Sequence, residues 1–311
     1  MIIIELLKNF KWYFVNKYNK RYLRYTSERF ERSLSKIFKK RFGYIPDFQN
    51  PKGFNEKIQW LKLYDSTPLK GMLADKFAVR EWIKEKIGAD FLIPILGVYD
   101  KFEDIDFNKL PDKFVLKTNH ASSTNILVED KNNFNHIEAK LKFKRWLSTN
   151  YAFKKGFELH YGLIQPKIIC EKFMGNGDLI DYKFFCFSGG VKFVWVDTGR
   201  YTDHKRNVYD LNWKETGFTY DRYEKIDVPK PKNLDRMIKF AGILSENFAF
   251  VRVDFYEIDD RLYFGEMTFT SSSGMDKFYP EEYDRIVGDY LVLPEISPLP
   301  MDDIAKIWDK N

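Results

Sequence analysis

Two carboxylates in the last third of the chain, Asp254 and Glu266, stand where chemistry could be done. Asp254 interrupts the apolar run Val251-Arg252-Val253-Asp254-Phe255-Tyr256, and Glu266 the run Tyr263-Phe264-Gly265-Glu266-Met267-Thr268. Both runs have the composition of strands, and Asp259-Asp260 between them reads as a tight turn. Folding about that turn brings 254 close to 266 on one face of a hairpin. Facing carboxylates repel. A hard cation such as Mg²⁺, shared with a phosphate, relieves them, and so does a basic neighbour such as Arg252. Spacing alone leaves both open.

A second set of residues surrounds a lysine. Lys117 ends the strand-like Phe114-Val115-Leu116-Lys117 and opens the polar turn Thr118-Asn119-His120-Ala121-Ser122-Ser123-Thr124. Amides and hydroxyls in such a turn can cradle phosphate beside a point charge; the same residues also make an ordinary hairpin turn. Cys170-Glu171-Lys172-Phe173-Met174 reads as a strand running into a linker, with Asp178 and Asp181 following. That segment could offer main-chain bonds to a base and a carboxylate to a ribose. Lys183, Asp197, Arg200, His204, Lys205 and Arg206 form a mostly basic group that suits an anionic substrate, or simply a solvated surface. Ser271-Ser272-Ser273-Gly274 is either a turn over a substrate or a plain loop. Asp104-Ile105-Asp106 has the Asp-x-Asp form of a glycosyltransferase metal motif, but it is short and falls in a loop.

The hydrophobic pattern supplies the frame for these residues. Residues 54–65 place Ile58, Leu61 and Leu63 at helical steps, and 68–87 read as one amphipathic helix ended by Gly88. From residue 91 short β-rich runs take over: FLIPILGVYD, KFVLKTNHASSTNILVED, PKIICEKF, DYKFFCF and KFVWVDTGR. Helices are expected over about 137–149, 235–247 and 280–290. Hairpin-like antiparallel units with intervening helices predict an α+β fold rather than a doubly wound parallel sheet. The chain divides into a basic amphipathic helical arm (1–45), a helical lead-in (46–110), a small lobe (111–175), a large lobe with the late hairpin (176–296) and a C-terminal tail (297–311).

With 311 residues, 44% hydrophobic and 31% charged, the chain is neither disordered nor fibrous, and it is long enough for two or three units sharing a cleft. No apolar run reaches the length of a bilayer span, and Glu5 and Lys8 break the opening Ile run before it could act as a signal-peptide core, so a cytoplasmic location is expected. Two cysteines are too few for a disulfide scaffold, and four scattered His have no zinc spacing. Charge is concentrated at the start: residues 1–42 hold twelve basic and three acidic side chains, net +9, which leaves −3 for the remainder. Ile3, Leu7, Phe10, Phe14, Tyr18, Tyr22 and Tyr25 recur with helical period, while Lys8, Lys11, Lys20, Arg21 and Arg24 fall on other faces. A second helix carries Phe30, Leu34, Ile37 and Phe38 and stops at Gly43. This arm is either a helical pair packed on the body with solvated charges, or a peripheral contact with an anionic membrane surface at its inner face. Nucleic acid is disfavoured, since no recognised motif follows and the rest of the chain is acidic.

In chain order, ADKFAVREWIKEKIGADFLIPIL, FVLK with its polar loop, CEKF and RVDFYEIDDRLYFGEMTF resemble the motifs of the ATP-grasp superfamily, over about residues 70–275. Within it, FNEKIQWLKLYD, LPDKFVLKTNH, DYKFFCFSGG, HKRNVYDLNW and FGEMTF are similar to the TupA-like group of teichuronopeptide and capsular or surface polysaccharide loci, over about 50–290. The resemblance implies an ATP-grasp fold of two α+β lobes clasping ATP, and a ligase that activates a carboxylate as an acyl phosphate and passes it to an amine. Under it Lys76 and Lys117 clamp phosphates, with His120, Ser122 and Ser123 from the loop; Glu171, Lys172 and Phe173 meet the adenine, and Asp181 the ribose, with Lys183 nearby. Asp254 and Glu266 hold Mg²⁺, and Arg252, on the strand face of Asp254, stabilises the transferring phosphoryl group. Arg200, His204, Lys205, Arg206, Ser272 and Ser273 fall to substrate, a sugar-linked uronic acid, with an amino acid or other amine as second partner. Two features depart from the superfamily: the phosphate loop lacks glycine, and Thr268 stands where Glu-x-Asn has its Asn, a poorer ligand for a second metal. Three rivals remain: a glycosyltransferase, a kinase acting on a glycan, and a non-catalytic scaffold recruited to membrane by the arm.

Overall fold

Two antiparallel sheets, each with helices against it, face one another across a cleft in the computed structural model. It describes residues 2–154, 156–175, 179–200, 202–221 and 223–309, so Asp178 lies outside the described residues. The chain opens with α1 (Ile2–Asn19), α2 (Ser27–Phe42) and α3 (Phe54–Tyr64). Gly43 ends α2 at φ 90°, a left-handed conformation that would strain a residue with Cβ. The stretch 68–87 is two helices, α4 (Pro68–Ala74) and α5 (Val79–Lys86), rather than one. Asp75 Oδ1 accepts from the amides of Phe77 at 2.8 Å and Ala78 at 3.2 Å, a side-chain cap that competes with the helix ladder. The Lys76 amide meanwhile donates to Asn119 O at 3.1 Å, so the break ties Lys76 to the 118–124 loop.

The first sheet holds β1 (Ile95–Tyr99), β2 (Phe114–Thr118), β3 (Asn125–Val128) and β4 (Ile168–Lys172), in the order β1-β4-β2-β3. Its edge strand β1 comes from the lead-in, upstream of residue 111. Helix α6 (His136–Leu147) covers one side, its Ala139 and Phe143 sharing a core with Phe114, Leu116, Ile168 and Cys170.

The second sheet holds β5 (Asp181–Phe187), β6 (Gly190–Thr198) and β7 (Lys205–Tyr209); a short β8 (Thr219–Tyr220) follows outside it, then helix α7 (Leu234–Ser245) and the hairpin β9 (Val251–Ile258) and β10 (Arg261–Thr268). The order is β10-β9-β5-β6-β7, and β8 pairs with β11 (Phe278–Tyr279). Strand alternation sorts its side chains. One face, with Phe184, Val194, Val253 and Phe255, packs on Met237, Ala241 and Leu244 of α7. The other face is divided along the strands. Its aromatic half, Phe185, Phe193 and Trp195 with Phe250, takes Phe54 and Ile58 of α3. Its other half carries Asp181, Lys183, Asp197, Arg206, Arg252 and Asp254, all buried.

After α8 (Tyr283–Asp289) the tail ends in α9 (Met301–Trp308), a helix that the Pro-rich composition hides. Ile304 and Trp308 are buried at helical spacing, and Trp308 Nε1 donates to Gly162 O at 2.8 Å. Asp104 and Asp106 lie in short surface turns beside Lys101 at 3.6 Å and Lys109 at 3.2 Å, away from the cleft. They form no metal motif.

Candidate active site

The hairpin register depends on one glycine. Phe264 pairs with Phe255, but the next pair is Glu266 with Asp254, so Gly265 is the extra residue of a β-bulge. Without that bulge Asp254 would oppose Gly265, and Glu266 would point to the other face. A Cβ at Gly265 would lie 3.0 Å from Asp254 O and 3.1 Å from Tyr256 Cε2, which leaves little room for any side chain.

The pair is relieved by arginine. Arg252 donates through Nε to Asp254 Oδ1 at 2.7 Å and through Nη2 to Asp254 Oδ2 at 2.6 Å, Glu266 Oε1 at 3.2 Å and Thr268 Oγ1 at 3.1 Å; Nη1 reaches Ser271 Oγ at 3.1 Å. Lys183 Nζ adds Asp254 Oδ2 at 3.1 Å and Asp181 Oδ2 at 2.9 Å. Burial works against the Arg252 charge, yet Asp254 and Glu266 hold its pKa above the ordinary value. This corrects two expectations. Asp254 and Thr268 turn into Arg252 rather than toward an open position, and Arg252 and Lys183 spend their donors on protein acceptors beneath the cavity floor.

Glu266 differs from its partner. Its side chain keeps 34% exposure, and Lys76 Nζ stands 3.4 Å from Oε2. Burial raises its pKa, but Lys76, Arg252, Lys183 and Arg200 outweigh that and hold it well below the usual carboxylate range. Among the described residues no group of three or more His, Cys, Asp or Glu could hold a metal ion. A hard cation held by Glu266 with phosphate oxygens and water fits this donor set, since Mg²⁺ retains several waters and needs only one or two carboxylates. Direct ligation by Asp254 does not fit while Arg252 occupies both its oxygens.

Above this floor lies a cavity of about 560 Å³ between the sheets. Leu92, Ile93, Val115, Leu127, Met174 and Phe264 give it an apolar portion, while Lys76, Arg80, Lys117, Arg200, Asp181 and Glu266 give it a charged one. A flat heterocycle joined to a polyanion has this division of character. Of the residues singled out in the sequence, Lys76, Lys117, Ser122, Ser123, Glu171, Lys172, Phe173, Asp181, Arg200 and Glu266 line it together. Lys117 Nζ is paired with Glu171 Oε2 at 2.6 Å. Lys76 Nζ donates to Ala121 O at 3.0 Å, linking the loop to Glu266. Asn119 anchors the loop from below, donating to Asp75 Oδ2 at 2.9 Å and Gln165 O at 3.0 Å. The Lys172 amide donates to Pro94 O at 2.9 Å and so is no donor to a base.

Other candidates lie elsewhere. His120 is wholly buried beneath the loop, with Nε2 3.2 Å from Thr149 O, and burial pushes its pKa down to about 4. It does not line the cavity; its ring lies 6.0 Å from that of Trp308 in α9. Arg206 lies over the Trp195 ring at 3.4 Å and donates to Asp197 Oδ1 at 2.7 Å, an internal brace of the sheet. His204 Nε2 stands 3.1 Å from the same oxygen, while Lys205 sits at the surface with Asp203 at 3.1 Å and Glu224 at 3.5 Å. Ser272 and Ser273 take φ of 48° and 57° in a turn whose carbonyls at Ser273 and Gly274 accept from Gln59 Nε2 at 3.2 and 2.9 Å. Neither serine lines the cavity.

Arg80 and Tyr151 were missed in the sequence. Arg80 lines the cavity half-buried from the first turn of α5, a position fixed by the break at 75–78 that the sequence pattern does not show. Tyr151 shares a hydrogen bond with Ser122 Oγ from 29 positions away, and no sequence pattern points to it.

A family model described as TupA-like ATPgrasp matches residues 56–292. Solved structures to which the chain is similar include a D-alanine–D-alanine ligase from Bacillus anthracis complexed with ATP, at 14% identity and TM-score 0.39, covering 77% of this chain and 67% of that one. An L-amino acid ligase from Bacillus licheniformis is 13% identical at TM-score 0.42, covering 75% and 54%. A phosphoribosylamine–glycine ligase from Thermotoga maritima is 12% identical at TM-score 0.39, covering 64% and 48%. The chain thus spans between about half and two thirds of these proteins. No curated protein matches its sequence. With the family model spanning most of the chain, from α3 to just beyond α8, and the two sheets enclosing the cavity, the chain belongs to the TupA-like ATP-grasp family.

Proposed function

We propose that the protein is an ATP- and Mg²⁺-dependent carboxylate–amine ligase. It joins an amino acid or similar amine to a uronic-acid-containing sugar during surface polysaccharide assembly, and it works peripherally at the inner face of a membrane. The observation that carries the ligase reading is the cavity between the sheets, whose lining combines apolar side chains with four cations, Lys76, Arg80, Lys117 and Arg200, and with Glu266, which Lys76 and Arg200 face. In this reading Leu92, Val115 and Phe264 flank the base and Asp181 serves the ribose. Lys76, Lys117 and the Ser122–Ser123 loop hold the phosphates, where fixed positive charge supplies most of the catalysis. Mg²⁺, when bound at Glu266, neutralises charge developing on the phosphate oxygens. Arg252 and Lys183 act from below, holding Asp254 in place by hydrogen bonds and keeping Glu266 ionised. A substrate carboxylate oxygen attacks the γ-phosphorus and the bond to the ADP oxygen breaks. The amine then attacks the acyl carbon, the bond to phosphate oxygen breaks, and the amine proton leaves to solvent, giving amide and inorganic phosphate. Arg200, beside Asp181 and half exposed, is the cation best placed to meet an acidic sugar.

The test is ADP release from Mg·ATP with pooled uronic acids and their nucleotide conjugates against pooled amino acids, beside Glu266→Gln. ADP formed only when both pools are present, and lost in the variant, is the expected result. ADP formed with a neutral sugar and no carboxylate would make the enzyme a kinase, and failure to bind ATP would overturn the reading altogether.

A further inference from the structure

Helix α1 is folded inside out. A helix on a globular protein ordinarily buries its apolar stripe, yet here the polar stripe is the packed one. Glu5 Oε2 accepts from Arg145 Nη1 of α6 at 2.7 Å, and Asn9 Oδ1 accepts from the same nitrogen at 2.8 Å. Asn9 Nδ2 donates to Leu141 O at 3.0 Å, and Asn16 Nδ2 to Ser148 O at 2.6 Å. The opposite stripe, Ile3, Leu7, Phe10 and Phe14, is 72%, 65%, 68% and 55% exposed. Helix α2 behaves ordinarily: Phe30, Leu34 and Phe38 are fully buried. The sequence period that runs from Ile3 to Tyr25 is therefore split. Tyr22 and Tyr25 pack inward, Tyr22 against Phe153 and Phe157, and the five residues before them, Tyr18 included, face out.

We propose that the outward face of α1 is a docking surface for an anionic lipid bilayer, with the helix lying along the headgroup boundary. Charge complementarity chooses this occupant. Lys11 and Lys17 accompany the exposed apolar stripe, with Lys8 paired to Glu5 at 2.8 Å, and residues 2–24 carry six basic side chains against Glu5 alone, net +5. Apolar side chains enter the acyl boundary while lysines meet lipid phosphates, and binding grows with both. No helix among the described residues is long and apolar enough to cross a membrane, so the contact lies on the surface. Because α1 is clipped to α6, the docked element is the outer side of the first sheet, and the second sheet with α2 remains in solution. The inference rests on the peripheral placement proposed above and is independent of the ligase chemistry.

The experiment is sedimentation of the full chain with phosphatidylcholine vesicles, with and without phosphatidylglycerol, for the native protein, Leu7→Glu/Phe10→Glu and Lys11→Glu/Lys17→Glu. Gel filtration with light scattering runs in parallel. Expected are binding to the anionic vesicles alone and a loss of roughly tenfold or more in each variant. ATP binding should stay unchanged, since neither pair touches the cavity. If the native chain binds anionic vesicles and both variants bind equally well, α1 is not the docking element although the peripheral placement stands. If the native chain does not bind them, that placement falls too. A dimer that Leu7→Glu/Phe10→Glu dissociates would assign the face to a second copy of the chain, and equal retention on duplex RNA would assign it to nucleic acid.

Discussion

Replacing Lys76 by Met separates the two roles that the geometry gives this side chain. Its Nζ donates to Ala121 O at 3.0 Å and lies 3.4 Å from Glu266 Oε2, so one cation joins the phosphate loop to the late hairpin. Two unit charges at that distance attract by about 5 kcal/mol at an effective dielectric of 20. With Glu266 one third exposed, water screens most of this, and the pair should add no more than about 1 kcal/mol to stability. A bound polyphosphate excludes that water, and a charge-assisted hydrogen bond to it contributes roughly 1.5–3 kcal/mol. Lys76→Met should therefore weaken ATP by about 10- to 150-fold while the urea midpoint moves little. Titration calorimetry with ATP and a denaturation curve on the same preparation test both halves. Native ATP affinity in the variant would refute the phosphate-clamp role. A collapse in stability matching the affinity loss would show that Lys76 is a structural tie.

The other predictions address register, acid stability and the floor of the site. Gly265→Val should destabilise by about 1–3 kcal/mol and lower ATP-dependent turnover, because its Cβ meets backbone at 3.0 Å; a variant with native stability and turnover would show that the bulge does not need glycine. His160 is wholly buried, and burial pushes its pKa down to about 3. The folded chain then binds fewer protons than the unfolded one between pH 6.5 and 3, so stability falls as pH falls through that window, by about 2 kcal/mol at pH 5. His160→Leu should flatten this limb, with part retained through His120, and superimposable pH–stability curves would exclude the assignment. Arg252→Met leaves Asp254 buried with Lys183 alone and should cost about 3–5 kcal/mol; Arg252→Met/Asp254→Leu should recover much of it, and no recovery in the double variant would mean the two are not coupled.

The sequence by itself determined the order of most elements and the identity of ten of the residues that line the cavity. Strand alternation in DYKFFCF and RVDFY, and the turn at Asp259-Asp260, are local signals that survive folding unchanged. Lys117 and Glu266 were legible because one is a charge at the end of an apolar run and the other a charge inside one, while Lys76 came only from the resemblance of its segment to the ATP-grasp motifs. What those charges do was not legible, since a strand pattern does not say which neighbours across the sheet will neutralise them. Only tertiary structure set Arg252 and Lys183 against Asp254, turned His120 inward, and brought Tyr151 to Ser122. It also decided which side of α1 is buried. Helical period reveals a stripe but not the surface it meets, and the half-buried Arg145 cation of α6, with the carbonyls of Leu141 and Ser148 beside it, takes polar partners that Glu5, Asn9 and Asn16 supply.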